Sequence, residues 1–467
     1  MNAKPAPQIS APVIDVVDIV EGQQLGWFVV RLVLVSSLVM FLDGYDLNVI
    51  PFTRPDVMKA YHLDTGMWGT VLTSGVGGTL LGSIVFGILG DRLGRRRAII
   101  CATAVFGLFT LVFAGAANYG QMVILRLLNG VALGGAVPLV WALSVEYVPR
   151  RYRATIVTVI MMGYGIGVAV AGPIAVKLLI PSFGWQAVFI FGGAASLLAA
   201  ALLYWRLPES LRFLATQGRR PEQLARIVRE LAPERTDLEG ATFILSGQDP
   251  ADGSRRGIAA VTHGLAALFR GPLRWITPLV WLAYAASSLS TFFFTSWGPA
   301  LFEKMGLTRS QVAWCSFSNS ICGAIGALLL MRFTDRLGPI SVALLPAIAL
   351  PLLLLIAHVS LSPTTFMGMM AVLYLFLGGS HYGIISITGT FYPTTHRALG
   401  TGWASAVGKV GSVAGPWVGT GIMAAVIAAT IPAKETFLFL ALCPSVFFLC
   451  MLGIGLMERR GVVHAAE

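Results

Sequence analysis

Charge is scarce in this sequence. Only 12% of its 467 residues are Asp, Glu, Lys or Arg, against roughly 25% in soluble domains. That is too little to coat a water-soluble globule of this length, and soluble enzyme classes are excluded. The six histidines are scattered, and neither His-Glu-x-x-His nor Gly-x-Ser-x-Gly occurs, so an intramembrane enzyme has no motif to stand on. The five cysteines, Cys101, Cys315, Cys322, Cys443 and Cys450, fall inside apolar runs at spacings that match neither a disulfide framework nor a metal site. They are expected to be packing residues. Residues 1–26 are polar and contain Asp15, Asp18 and Glu21, so no cleavable signal peptide is expected.

What fills the space is apolar. Hydrophobic residues make up 56%, mean hydropathy is +0.77, and there are 52 glycines and 11 tryptophans, which suit membrane helices. A bilayer core needs about 20 apolar residues per helix. Such runs occur near 27–51, 66–89, 98–117, 121–147, 154–180 and 186–206, and again near 273–301, 310–332, 339–358, 365–391, 398–430 and 435–457. The expectation is an all-α membrane protein of twelve transmembrane helices in two pseudo-symmetric six-helix bundles. Its parts are an N-terminal tail (1–26), a first bundle (27–207), a central loop (208–272), a second bundle (273–458) and a C-terminal tail (459–467). Within the loop, Leu224, Ile227, Val228 and Leu231 recur at helical spacing, which predicts an amphipathic helix over 221–234 lying on the membrane face. Residues 249–257 have the composition of a flexible linker.

The net charge of +11 is a matter of sidedness. Arg92, Arg95, Arg96, Arg97, Arg150, Arg151, Arg153, Arg332, Arg336 and Arg397 fall in one set of short loops. The opposite set has only Arg54, Lys59, Lys177, Lys304, Arg309 and Lys434. Positive loops stay inside, so both tails and the central loop are expected in the cytoplasm. Nucleic acid is not needed to explain the basicity.

An internal repeat orders the chain. Asp91-Arg92-Leu93-Gly94 returns as Asp335-Arg336-Leu337-Gly338, and Pro149-x-x-x-Arg153-Ala154 as Pro393-x-x-x-Arg397-Ala398, both shifted by 244 positions (335 against 91, 393 against 149). Ala171-Gly172-Pro173 returns as Ala414-Gly415-Pro416. Parallel repeats with a site between them near the midplane are a transporter design.

Asp43 and Asp46 lie one turn apart inside the first hydrophobic run. A charge at mid-bilayer costs roughly 2.5–3.5 kcal/mol, so two of them imply a use. Burial and mutual repulsion disfavour their charged forms, which suits the pair to carrying a proton. Arg126, in the fourth run, falls at a depth where it could meet them. Lys409 is the cation of the second half, about 16 Å from the inner end of its helix. No acid in helices seven to eleven matches its depth, so a substrate carboxylate is its expected partner, the alternatives being the Asp43/Asp46 pair or backbone carbonyls. Tyr45, Trp141, His381, Tyr382 and Trp403 are candidates to sandwich a ring, and His381 could also relay protons. At the cytoplasmic turns, Gly87, Asp91, Arg92, Gly94, Arg95, Arg96, Glu146 and Arg153, with Asp335, Arg336 and Arg397 in the second half, are expected to form an ionic gate.

These residues resemble the major facilitator superfamily. Gly87 to Arg97 is similar to its signature between helices two and three, and Arg126-x-x-Asn129-Gly130 to its fourth-helix signature. Asp43-Gly44-Tyr45-Asp46 resembles the first-helix motif of the aromatic acid:proton symporters. Ser296-Trp297-x-Pro299 and the run from Tyr392-Pro393 through Gly402-Trp403, Gly408-Lys409-x-Gly411 and Gly415-Pro416 resemble the same family. The chain departs from it at Lys409, where Arg is usual, and Lys loses planar two-point recognition of a carboxylate. The resemblance implies uptake of benzoate-like acids with protons, the first-helix acids being needed, at a bacterial inner membrane. It implies no cofactor beyond the proton gradient; the expected partners are an aromatic acid anion, a proton and the bilayer, with the chain acting as a monomer. The alternatives are an antiporter or exporter, to which Gly163-x-Gly165-x-Gly167 points, and a sugar or other organic-anion porter, to which Leu207-Pro208-Glu209-Ser210-Leu211-Arg212 points.

Overall fold

Among the described residues, twelve helices are long and apolar enough to cross a bilayer. The structure, a computed structural model, describes residues 13–23, 25–217, 221–231, 242–244, 265–337, 339–393 and 396–459. In chain order the helices are α1 (Trp27–Tyr61), α2 (Thr65–Leu93), α3 (Arg95–Phe113), α4 (Tyr119–Glu146), α5 (Arg153–Pro173) and α6 (Gln186–Arg206). The second set is α7 (Leu273–Lys304), α8 (Arg309–Leu337), α9 (Leu344–His358), α10 (Pro363–Ile387), α11 (Arg397–Ile427) and α12 (Thr436–Arg459). The chain is therefore a multi-pass membrane protein. Large apolar side chains such as Leu198, Leu442 and Leu449 stand exposed around the outside, where lipid rather than water is their solvent.

The linker between α6 and α7, the segment before α1 and the end of α12 share one end of the molecule, here called the tail end. At the opposite, far end, side-chain caps start the helices. Asp64 accepts from the Met67 N–H at 2.7 Å, Asn118 from Gln121 at 2.9 Å and Ser362 from Thr365 at 3.3 Å, satisfying N–H groups that a helix cannot satisfy itself.

The repeat in the sequence is a repeat in packing. In the first bundle α1 lies on α5, α2 on α4 and α3 on α6; in the second, α7 lies on α11, α8 on α10 and α9 on α12. Gly167 meets the Phe41 carbonyl, and 244 positions on (411 against 167, 285 against 41) Gly411 meets the Ala285 carbonyl. A methyl group at either position would collide with backbone, so glycine sets these approaches.

Helix α1 runs ten residues past the expected end near 51 (61 against 51), through Pro51 and Pro55. Each proline removes one N–H from the backbone ladder; in the same stretch the Thr53 hydroxyl donates to the Ile50 carbonyl at 2.8 Å, and Arg309 of α8 donates to the Phe52 carbonyl at 3.1 Å. The amphipathic helix forms over Pro221–Leu231, and Leu224, Val228 and Leu231 are buried against the tail end of the first bundle. Arg31 of α1 holds it through Glu230 at 2.8 Å. A short parallel pair, β1 (Val13–Asp15) with β2 (Thr242–Ile244), joins the N-terminal segment to the linker. Residues 249–257 lie outside the described residues.

The bundles touch along α2–α11 and α5–α8, with α1 near α7. At the far end one apolar core runs through both, joining Phe113 and Phe189 to Phe293, Trp297 and Phe366. Two ion pairs cross there: Arg54–Glu303 at 2.8 Å and Arg309–Asp56 at 2.6 Å. Towards the tail end the cores part, with Ala98, Leu143 and Ile156 in one and Ile276, Ile387 and Ile454 in the other. The molecule is sealed at the far end and split at the tail end.

Candidate functional site

Asp46 and Arg126 meet, both almost wholly buried, with Arg126 Nη1 3.4 Å from Asp46 Oδ2. The other oxygen, Oδ1, accepts from the Thr110 hydroxyl of α3 at 2.8 Å. Thr110 in turn accepts from Asn129 Nδ2 of α4 at 2.7 Å, and the same amide donates to the Phe106 carbonyl at 3.2 Å. The guanidinium also sits over the Phe113 ring, 5.6 Å from its centroid. This network belongs wholly to the first bundle. Arg126 Nε and Asn129 Oδ1 are buried without a hydrogen-bond partner among the described residues.

Asp43 differs from its neighbour. It is 3% exposed and has no hydrogen bond or ion pair among the described residues. Eleven residues are three helical turns, about 16 Å, so Asp43 lies on the same α1 face as Arg54, which reaches Glu303 of the second bundle. Lys409 stands in the same relation to Thr420, whose side chain packs against Gly69 of α2. It is half-buried, and it too has no ion-pair or hydrogen-bond partner among the described residues. By this spacing the two unpartnered charges, one in each bundle, share helix faces with contacts between the bundles, each three turns from one.

The expected ring-binding residues divide. His381 hydrogen-bonds through Nδ1 with the Ser287 hydroxyl at 3.1 Å and packs edge-on to Tyr284 and Tyr382. Tyr382 remains 38% exposed. Tyr164 of α5 lies within electrostatic range of both Asp43 and Tyr382, linking the two walls. By contrast, Tyr45 turns into α6: its hydroxyl donates to the Val188 carbonyl at 3.4 Å and its ring meets the Phe191 ring edge-on. Trp403 stacks on Trp281 at 6.1 Å, about 9 Å from the tail end of α11. Trp141 packs against the first bundle's tail-end core. Neither Trp is at the depth of Lys409.

The counterparts of Asp43 and Asp46 in the second bundle are Ser287 and Ser290, 244 positions on. They line a cavity of about 20 Å³ with Thr291 and Ser380, room for one water. The acids are thus a property of the first bundle alone.

At the tail end Gly94 has φ +96°, and the Glu209 carboxylate occupies the space a side chain would need. Glu209 also accepts from the Arg96 N–H at 3.0 Å. Glu146 pairs with Arg95 and accepts from Ser210 at 2.6 Å. Arg153 pairs instead with Glu21 at 3.5 Å, so Glu146 and Arg153 do not share one contact. Gly87 is half-buried, while Asp91, Arg92 and Arg397 are exposed. The side chains of Asp335 and Arg336 lie outside the described residues. Among the described residues every tail-end ion pair stays within the first bundle and its attached segments. Gly163 and Gly167 pack on the Ser37 and Phe41 carbonyls and serve helix contact, while Gly165 has open space beside it.

Sequence reasoning had no partner for Asp46 in Thr110, gave Asn129 no role, and passed over Tyr164 and Ser287. Hydroxyls and amides inside apolar runs were the available signal. The far-end ion pairs give a direct prediction. With native cysteines removed and Thr420→Cys as reporter, Arg54→Gln combined with Arg309→Gln should raise maleimide labelling from the far side several-fold. An unchanged rate would show that the pairs do not hold the far end shut.

A model of the Major Facilitator Superfamily matches residues 36–416, and again 280–461. The 4-hydroxybenzoate transporter PcaK of Pseudomonas aeruginosa is 30% identical over 424 residues, 91% of this chain and 92% of that one. The gallate transporter of Pseudomonas putida is 30% identical, covering 89% and 90%. The 3-(3-hydroxy-phenyl)propionate transporter of Escherichia coli is 31% identical, covering 81% and 83%. A bacterial homologue of the human lysosomal transporter Spinster, in an inward-facing and occupied conformation, superposes with a TM-score of 0.62 at 15% identity, over 93% of this chain and 96% of that one.

Proposed function

Since the chain belongs to the major facilitator superfamily, we propose that it imports an aromatic carboxylic acid together with a proton, by alternating access. The observation that carries this reading is a pair of charges without partners among the described residues, Asp43 in the first bundle and Lys409 in the second, each three turns from a contact between the bundles. A lone half-buried ammonium calls for an anion, and a lone buried carboxyl is stable when neutral. Together they fit a carried anion and a carried proton. The relatives' names share a ring and a carboxyl group, and Tyr164, Tyr284, His381 and Tyr382 supply the aromatic walls.

The arginine-rich loops make the tail end cytoplasmic, with both termini there, at a bacterial inner membrane. The described state is then open to the cytoplasm. In the outward-open state Asp43/Asp46 gain a proton and the anion binds at Lys409. The far-end pairs Arg54–Glu303 and Arg309–Asp56 form as the bundles rock, and both cargoes leave at the tail end. Return requires the tail end to close, with Gly87, Asp91, Arg92, Gly94, Arg95 and Arg96 at the closing turn and Glu146, Arg153 and Arg397 beside it. One chain supplies both walls, so a monomer suffices.

The test is competition against labelled 4-hydroxybenzoate uptake by benzoate, hydroxybenzoates, dihydroxybenzoates and phenylpropionates, beside methyl 4-hydroxybenzoate and glucose. Free acids should compete and the ester should not. Equal competition by the ester, or competition by glucose alone, would overturn recognition of the carboxylate.

A further inference from the structure

We infer that the two acids of α1 have different duties: Asp43 is the proton carrier, while Thr110 and Asn129 hold Asp46 as a standing anion opposite Arg126. The inference rests on the proton-coupled reading above and assigns its proton to one atom group.

The argument follows hydrogens along the network. Only an NH₂ group can donate to the Phe106 carbonyl, so that contact sets the direction of the Asn129 amide. The amide then donates its other hydrogen to Thr110 Oγ1 at 2.7 Å. The Thr110 hydroxyl accepts from Asn129 and donates its one hydrogen to Asp46 Oδ1, 2.8 Å away. Oδ2 faces Arg126, whose guanidinium donates and never accepts. Both oxygens of Asp46 therefore face donors. A proton on Oδ2 would point at a group that only donates, and one on Oδ1 would require Thr110 to turn its hydrogen away, so the arrangement favours the carboxylate. Each member is at most 2% exposed, so water does not substitute for a missing partner.

Asp43 has none of these partners among the described residues and is buried in α1. The charged and titratable groups that act on it are Asp46 on its own helix and Tyr164 on α5, which also senses Tyr382 on α10; Tyr45 and, on α4, Arg126 border Asp46. Tyr45 is turned to Val188 and Arg126 is engaged by Asp46. Helices α3 and α6 bring no ionisable side chain to this depth, and Tyr284 of α7 is directed at His381. Nothing near Asp43 other than Asp46 fixes its charge, so it is free to gain and lose a proton as the split opens to either side. Thr110 and Asn129 act through Asp46 and are positioning residues.

The test is infrared difference spectroscopy of the reconstituted full chain as pH is varied, reading the high-frequency C=O stretch of a protonated carboxyl without hydrogen bonds. The unmodified protein should show one such band. Asp43→Asn should remove it, Thr110→Val should add a second band as Asp46 loses its donor, and Thr110→Ser should restore the single band. Full intensity in Asp43→Asn, or a Thr110→Val spectrum identical to the unmodified one, overturns the assignment. The spectra need no substrate. If they come out as expected while the chain fails to accumulate any aromatic acid under a pH gradient, the transport reading fails and the division of the acids stands.

Discussion

Asp46→Asn should abolish concentrative uptake and lower the thermal stability of the purified protein. Removing one partner of a buried ion pair typically costs about 3–5 kcal/mol, because the other charge is left uncompensated. Here the survivor is Arg126, 1% exposed and fixed by α4 packed on α2. Its nearest remaining anion is Asp43, one turn from Asp46. Capture of Asp43 by Arg126 would hold the proton-exchanging carboxyl charged, so coupling is lost even where the chain folds. The double substitution Asp46→Asn with Arg126→Gln should recover most of the stability, since two neutral amides replace the pair, yet should not recover accumulation. Thermal unfolding and uptake measured on the same preparations separate the two effects. Normal accumulation by Asp46→Asn, or a double variant less stable than either single one, would contradict this account.

Lys409→Gln should weaken substrate binding far more than it slows turnover. A hydrogen bond to a charged group contributes about 1.5–3 kcal/mol, which converts to roughly 10- to 150-fold in affinity. The structure offers Lys409 no protein partner among the described residues to leave stranded, so the loss should appear in KM for labelled 4-hydroxybenzoate with little change in stability. Lys409→Arg keeps the charge and should retain binding within a few-fold. Unchanged KM in Lys409→Gln would remove Lys409 from the site.

Much of this arrangement is legible in the sequence, because the bilayer restricts what a chain can do there. Twelve apolar runs, a 244-residue repeat and charges within hydrophobic stretches each have one dominant physical meaning. The meeting of Asp46 with Arg126 followed from depth alone, even though α1 proved longer at its far end. The remainder depends on which helix lies beside which. Tyr45 and Asp46 are adjacent in sequence, yet the 100° turn between them sends one towards α6 and the other towards α3 and α4. Thr110 is an ordinary hydroxyl in an apolar run until α3 is placed beside α1. Glu21 and Glu209 lie far in sequence from Arg153 and Arg96, and only the fold makes them neighbours. The first apolar run ends near 51, yet α1 continues through Pro51 and Pro55 to Tyr61, and Arg309 of α8 reaches this stretch.

The central claim is that a proton gradient drives inward movement of an aromatic carboxylate. Purified chain in sealed vesicles, given an inward-directed pH gradient and labelled 4-hydroxybenzoate, should accumulate the acid above its external concentration and release it when a protonophore is added. Uptake that reaches the same level with the gradient, without it and with protonophore present would contradict the account.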